Sequence, residues 1–246
     1  MCINLSLITR LMRNRHLTPP QRTRAAGFTL IELMVALVLG LVVIGGVMGV
    51  FMSTYQANAQ NIKAVRLNEE MRAVMSMMTR DIRRAGVRTL AWQPSLLGTP
   101  NPFSTATAWA VSNMSGAAAN SCVRLAYSIS NDVGTDAANR FGYRLNPTTG
   151  AIETYNHTAS DWHCGGANWQ AVTDANIAWI RSLVFTTTTE PGMSGVAVRT
   201  VIVNLRAATH TRSANPSTIT AADCTNIDVV CRQLVEKIRL RNDAVL

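Results

Sequence analysis

Gly27-Phe28-Thr29-Leu30-Ile31-Glu32-Leu33-Met34-Val35-Ala36 opens an apolar run that continues to Met52 and holds one charge, Glu32. As a helix, residues 28–52 extend about 37 Å at about 1.5 Å per residue. The hydrocarbon core of a bilayer is about 30 Å thick, so the segment crosses it with some tilt. Arg10, Arg13, Arg15, Arg22 and Arg24 precede the run, and residues 1–27 contain no acid. Positive charge of this kind stays on the cytoplasmic side and sends the remainder of the chain across.

A secretory signal peptide has an apolar region of about 7–15 residues followed by a small-residue cleavage site. Here the small residues Ala25-Ala26-Gly27 come before a longer apolar run. A cut at that place leaves the hydrophobic helix on the mature chain, which anchors the protein instead of releasing it. Glu32 is the informative residue. A carboxylate at membrane depth is costly and marks a functional partner. A helix N-terminus eases its cost through the positive end of the dipole, which accounts for tolerance but not for presence. The amine of a new N-terminus at Phe28, its own or a neighbour's, is a suitable partner.

The stretch 27–36 resembles the processing motif of type IV pilins and pseudopilins: a glycine, an aromatic residue, a glutamate at fixed spacing and a long apolar run. The resemblance implies that a prepilin peptidase cuts between Gly27 and Phe28 and methylates the new amine of Phe28. It also implies that Glu32 pairs with the N-terminus of a neighbouring subunit during assembly. Where many major pilins have a proline about 22 residues into the mature helix, this chain has Gly49. With Gly45 and Gly46, that residue forms a glycine cluster. Each glycine weakens a helix by about 1 kcal/mol relative to alanine, so the cluster is expected to be the soft part of the helix. The same small residues also allow close helix–helix approach.

From Ser53 to about Gly86 the pattern stays helical. Met71, Val74, Met75, Met78, Ile82 and Ala85 recur at three- and four-residue spacing, and Arg72, Ser76, Arg80, Arg83 and Arg84 fall elsewhere on the wheel. Core packing is the expected role of the methionine stripe. Arg66 and Glu70 are four apart and suited to pairing, and Gly86 is a stop. No proline interrupts residues 28–86. One long helix is predicted, apolar all round and then amphipathic.

Past Gly86 the residues turn strand-like. Residues 93–121 are loop-like, with a short strand near Trp109. Val123, Leu125, Tyr127 and Ile129 alternate. Residues 140–145 and 151–155 flank Asn146-Pro147-Thr148-Thr149-Gly150, a hairpin turn. Residues 180–187 and 196–207 flank a second turn at Glu190-Pro191-Gly192. Residues 208–226 are polar and loop-like, and 234–241 fit a final strand, with a short helix over 228–237 as the rival. The fold class is α+β: a long N-terminal helix, membrane-spanning and then amphipathic, packed on a C-terminal antiparallel β-sheet. The expected divisions are a basic leader at 1–27 that is removed, a membrane or filament-core helix at 28–52, its amphipathic continuation at 53–88, and a globular β domain at 89–246.

The formal net charge of +9 invites a nucleic-acid reading, but removal of the five leader arginines leaves 18 bases against 14 acids, or +4. The cluster Arg80, Arg83, Arg84 and Arg88 fits a solvated or filament-contacting helix face better than a nucleic-acid patch. Beyond Cys2 in the leader, Cys122, Cys164, Cys224 and Cys231 form an even set downstream of an export signal, which suggests two disulfides in an oxidising compartment. Three pairings are open. Cys224–Cys231 with Cys122–Cys164 is preferred because the first pair closes a short loop.

His157, His163 and Cys164 lie close together, but two histidines in a Gly/Asn-rich loop fall short of a metal site. Trp162, Trp169 and Trp179 suit packing better than ligand binding. No phosphate-binding loop, nucleophile elbow or helical His-Glu-x-x-His occurs, so neither an enzyme nor a cofactor is expected.

Leu67-Asn68-Glu69-Glu70-Met71-Arg72, Thr79-Arg80-Asp81-Ile82-Arg83-Arg84-Ala85-Gly86 and the terminal Ile238-Arg239-Leu240-Arg241-Asn242 are similar to segments of PilW-type minor pilins. That resemblance implies a low-abundance subunit that helps initiate, prime or cap pilus assembly. Its expected partners are prepilin peptidase, other major and minor pilins, the inner membrane and the pilus assembly platform. The implied location is the bacterial inner membrane, single-pass with a periplasmic C-terminal part, and then the filament or its tip. The alternatives are a minor pseudopilin of type II secretion and a tip-displayed adhesin or DNA-binding pilin.

Overall fold

The structure is a computed structural model and describes residues 27–89, 101, 103, 109–112, 118–129, 137–156, 161–191, 197–210 and 229–240. The chain divides into two units, Met1–Met52 and Ser53–Leu246. One helix, α1 (Leu30–Arg84), runs through the division.

In the first unit the helix is apolar on every side, and residues 27–52 are exposed except Gly40, which is half-buried. It is long and apolar enough to cross a membrane. Thr29 starts the helix: its hydroxyl accepts a hydrogen bond from the Glu32 N–H at 3.3 Å, and its carbonyl accepts one from Leu33 at 3.2 Å. A threonine N-cap with glutamate three residues on is the spacing of a capping box. Phe28 therefore lies outside the helix.

In the second unit α1 becomes one-sided. Leu67, Met71, Val74, Met75, Met78 and Ile82 are buried. They recur at intervals of three or four and so share one stripe. The helix ends where Gly86 adopts φ 81°, a left-handed conformation that glycine takes without a Cβ penalty. The Gly86 N–H then donates to Ala126 O at 3.0 Å, which ties the helix end to the sheet. The expected Arg66–Glu70 pair does not form. Glu70 Oε1 accepts instead from the backbone N–H of Asp174 at 2.9 Å.

The strands are β1 (Trp109–Ser112), β2 (Cys122–Ala126), β3 (Arg140–Asn146), β4 (Ala151–Tyr155), β5 (Trp169–Ala171), β6 (Trp179–Pro191), β7 (Ala197–His210) and β8 (Val229–Arg239). They form two antiparallel sheets where one was expected, ordered β1-β2-β3-β4-β5 and β6-β7-β8. β6 joins β7 and not β5, and isolated backbone bonds tie it to residues beside the first sheet. Ile180 N–H donates to Gly150 O at 2.8 Å and Phe185 N–H to Asn120 O at 2.9 Å. The first hairpin falls where its turn residues put it, whereas Glu190 and Pro191 of the second expected turn are still paired in β6, opposite Val198 and Ala197, and Gly192 lies outside the described residues. Asn146 Oδ1 accepts from Thr148 N–H at 3.0 Å, and Gly150 takes φ 65°. The Trp179 ring lies so close to Gly150 that an added Cβ would meet it at 2.3 Å.

β2 stops at Ala126, short of the expected Ile129. The chain beyond leaves the ladder to meet the helix end, with Ser128 N–H donating to Val87 O at 2.9 Å. Residues 229–239 are strand and not the alternative short helix. They pair with β7 from Thr200 to His210, with Leu234 opposite Leu205 and Ile238 opposite Val201. That pairing satisfies the backbone groups of β7 that face away from β6, which a short helix would not do. The buried stripe of α1 packs against inward residues of both sheets, among them Leu125, Tyr143, Phe185, Val203 and Leu205, in one hydrophobic core.

Candidate functional site

The expected assembly residues gather at the start of α1. Gly27, Phe28 and Glu32 are all exposed, Phe28 at 83%. Only the backbone of Glu32 is engaged, as donor to Thr29. Its carboxylate has no ion-pair or hydrogen-bond partner among the described residues. A carboxylate with no partner among the described residues, at the head of a stretch otherwise apolar through Met52, is available to a cation from outside the chain.

Gly45, Gly46 and Gly49 lie within the unbroken helix, and a Cβ at any of them would meet nothing within 4 Å. Packing within the chain therefore does not require glycine there.

Of the cluster expected on a solvated or filament-contacting face, Arg80, Arg83 and Arg84 are exposed, as is Arg72, whereas Arg88, beyond the helix end, is half-buried; the exposed four stand on α1. Together with Leu234, Val235 and Glu236 of β8 they line an open groove of about 640 Å³.

Two polar networks hold the second unit together, and neither was expected from sequence. Asp81, 7% exposed, accepts a hydrogen bond from the Tyr127 hydroxyl at 3.1 Å and another from the Tyr143 hydroxyl. Burial, and then the Asp81 charge, push both phenols well above the ordinary tyrosine range. In the other network Arg144 Nε donates to Glu153 Oε2 at 2.6 Å, with both side chains buried. Arg144 Nη1 also donates to Cys164 O at 2.7 Å and Gly166 O at 2.8 Å, and its guanidinium lies 4.7 Å from the Trp169 ring centroid.

A disulfide joins Cys122 at the start of β2 to Cys164 in the segment that Arg144 grips. Cys231 is also disulfide-bonded; Cys224, its expected partner, lies outside the described residues. His163 pairs with Asp161 at 2.6 Å, Cys164 is spent in the disulfide, and His157 lies outside the described residues. The tryptophans pack. Trp162 donates to Phe141 O at 2.9 Å beneath Arg124 and Arg140, Trp169 meets Tyr155 edge-on, and Trp179 covers Gly150.

Comparison with known families places these features. Residues 22–48 match the prokaryotic N-terminal methylation motif. Residues 60–224 match the family described as prepilin peptidase-dependent protein B. No curated protein and no solved structure matches the chain. With an apolar N-terminal helix, antiparallel sheets and a match over most of its length, the chain belongs to the prepilin peptidase-dependent protein B family and is a type IV pilin-like protein.

Proposed function

We propose that this protein is a minor type IV pilin that helps start or cap a pilus through its N-terminal helix. In this reading prepilin peptidase removes residues 1–27 and methylates the amine of Phe28, and Glu32 receives the amine of a neighbouring subunit. The observation that carries it is the Glu32 carboxylate four residues past Phe28, without a partner among the described residues, on the part of the helix before Met52 that is exposed on every side. In an assembled filament neighbouring helices would cover that surface, and a charge pair there would fix the register of one helix on the next. Gly45, Gly46 and Gly49 would let the helix soften or pack closely.

The test is complementation of a gene deletion with wild-type protein and with Glu32→Gln. Glutamine also suits the third position of a capping box, so this change removes the charge and keeps the helix start. Pilus number should fall in the variant at equal protein level, and secreted enzymes should be unaffected. Normal piliation would sink the reading, and loss of secretion with pili intact would make the protein a pseudopilin.

A further inference from the structure

β8 is the last strand in the order β6-β7-β8, and among the described residues no strand pairs with its outer edge. Over Leu234–Glu236 such an edge presents N–H and C=O groups to which an extended chain can add. Leu234, Val235 and Glu236, three consecutive residues of β8, all line the groove. Successive side chains of a strand point to opposite faces, so a groove that touches all three runs along the edge.

The facing wall is cationic: Arg72, Arg80, Arg83 and Arg84 line it, against the single acid Glu236. Among the described residues the only carboxylate within 4 Å of these arginines is Asp81, at 3.8 Å from Arg80 and already bonded to two phenols. Arg84 is partly engaged, 6.0 Å from the Tyr127 ring centroid. Thr79 also lines the groove and is 9% exposed, with a buried hydroxyl that has no hydrogen-bond partner among the described residues. Val235 adds an exposed apolar side chain at 56%.

We propose that this groove receives an extended acidic segment of a partner protein, which adds as a strand along β8 and sets its carboxylates against Arg72, Arg80 and Arg83. A nucleic acid or an anionic headgroup would match the arginines and leave the backbone edge and Val235 unused.

The full-length protein in detergent micelles is titrated with a synthetic peptide alternating glutamate and valine. The controls are the same peptide with lysine for glutamate, the same peptide N-methylated at alternate backbone amides in either register, and a single-stranded oligonucleotide of equal charge. The acidic peptide should bind, protect from hydrogen exchange those amides of residues 234–236 that face away from β7, and lose about tenfold or more in affinity to Arg72→Glu/Arg83→Glu. The lysine peptide should not bind, and N-methylation in one register should abolish binding. Absence of binding, equal binding of both N-methylated peptides, or tighter binding of the oligonucleotide would each overturn the proposal. Thermal melting checks that the double variant folds. Should it not, protection or its absence at residues 234–236 in the wild-type protein decides alone.

Discussion

Asp81 places a charge on the otherwise apolar face of α1, and the fold meets it with two phenols. Its position was readable: it follows Met78 by three residues and Val74 by seven, so the helical period puts it inward. Its donors were not readable, because Tyr127 and Tyr143 lie 46 and 62 residues away. Asp81→Ala should strand both hydroxyls and cost about 1–3 kcal/mol, measured by urea unfolding. Asp81→Asn, which still accepts hydrogen bonds, should cost less. The phenols also make a prediction about pH. Each has a folded pKa raised above the ordinary value of 10.0, so between those two values the unfolded chain has lost a proton that the folded chain keeps. Their contribution is therefore full below about pH 10 and declines as pH rises beyond it. Unfolding midpoints of Tyr143→Phe should fall less steeply than those of wild type above about pH 10, whatever their starting value.

Among elements, legibility followed the range of the interactions. α1 was legible from its period, and the first hairpin from Asn146 to Gly150, because both signals are local. The capping threonine was equally local, since Thr29 and Glu32 carry the spacing, yet the glutamate drew attention as a charge and not as part of a cap. The division into two sheets was not legible: it depends on which strand β6 pairs with, a long-range choice, and at the junction Trp179 lies against Gly150. Gly150→Ala should therefore disturb the junction and lower the melting temperature, since it combines a positive φ with a clash. The disulfide between β2 and residue 164 spans a sequence separation of 42. Chain entropy assigns a loop of that size about 4 kcal/mol, near the top of the usual 2–4. Cys122→Ser/Cys164→Ser should lose about 2–4 kcal/mol in denaturant unfolding and expose residues 161–168 to protease, with Arg144 still holding part of the segment. A loss below about 0.5 kcal/mol would mean that the arginine and its carbonyl partners hold the segment without the covalent bond.

For the whole molecule, charge, orientation and oxidation form one chain of cause. Five of the bases behind the +9 lie in residues 1–27, ahead of the apolar helix. In the proposed orientation they keep the leader cytoplasmic and carry the second unit to an oxidising compartment, where Cys122 and Cys164 can join. Leader charge should then control a bond more than a hundred residues away. Replacing Arg10, Arg13, Arg15, Arg22 and Arg24 with glutamate should leave the apolar helix able to enter the bilayer but remove the bias that fixes its direction. In the wild-type cell, alkylation should label Cys122 and Cys164 only after reduction. In the five-glutamate variant a substantial fraction should label without reductant, because the second unit then remains among cytoplasmic thiols. Peptide mapping by mass separates these two cysteines from Cys2. Unchanged labelling in the variant, with the protein still in the membrane, would show that the apolar helix sets its own direction and that the leader arginines serve the processing enzyme alone.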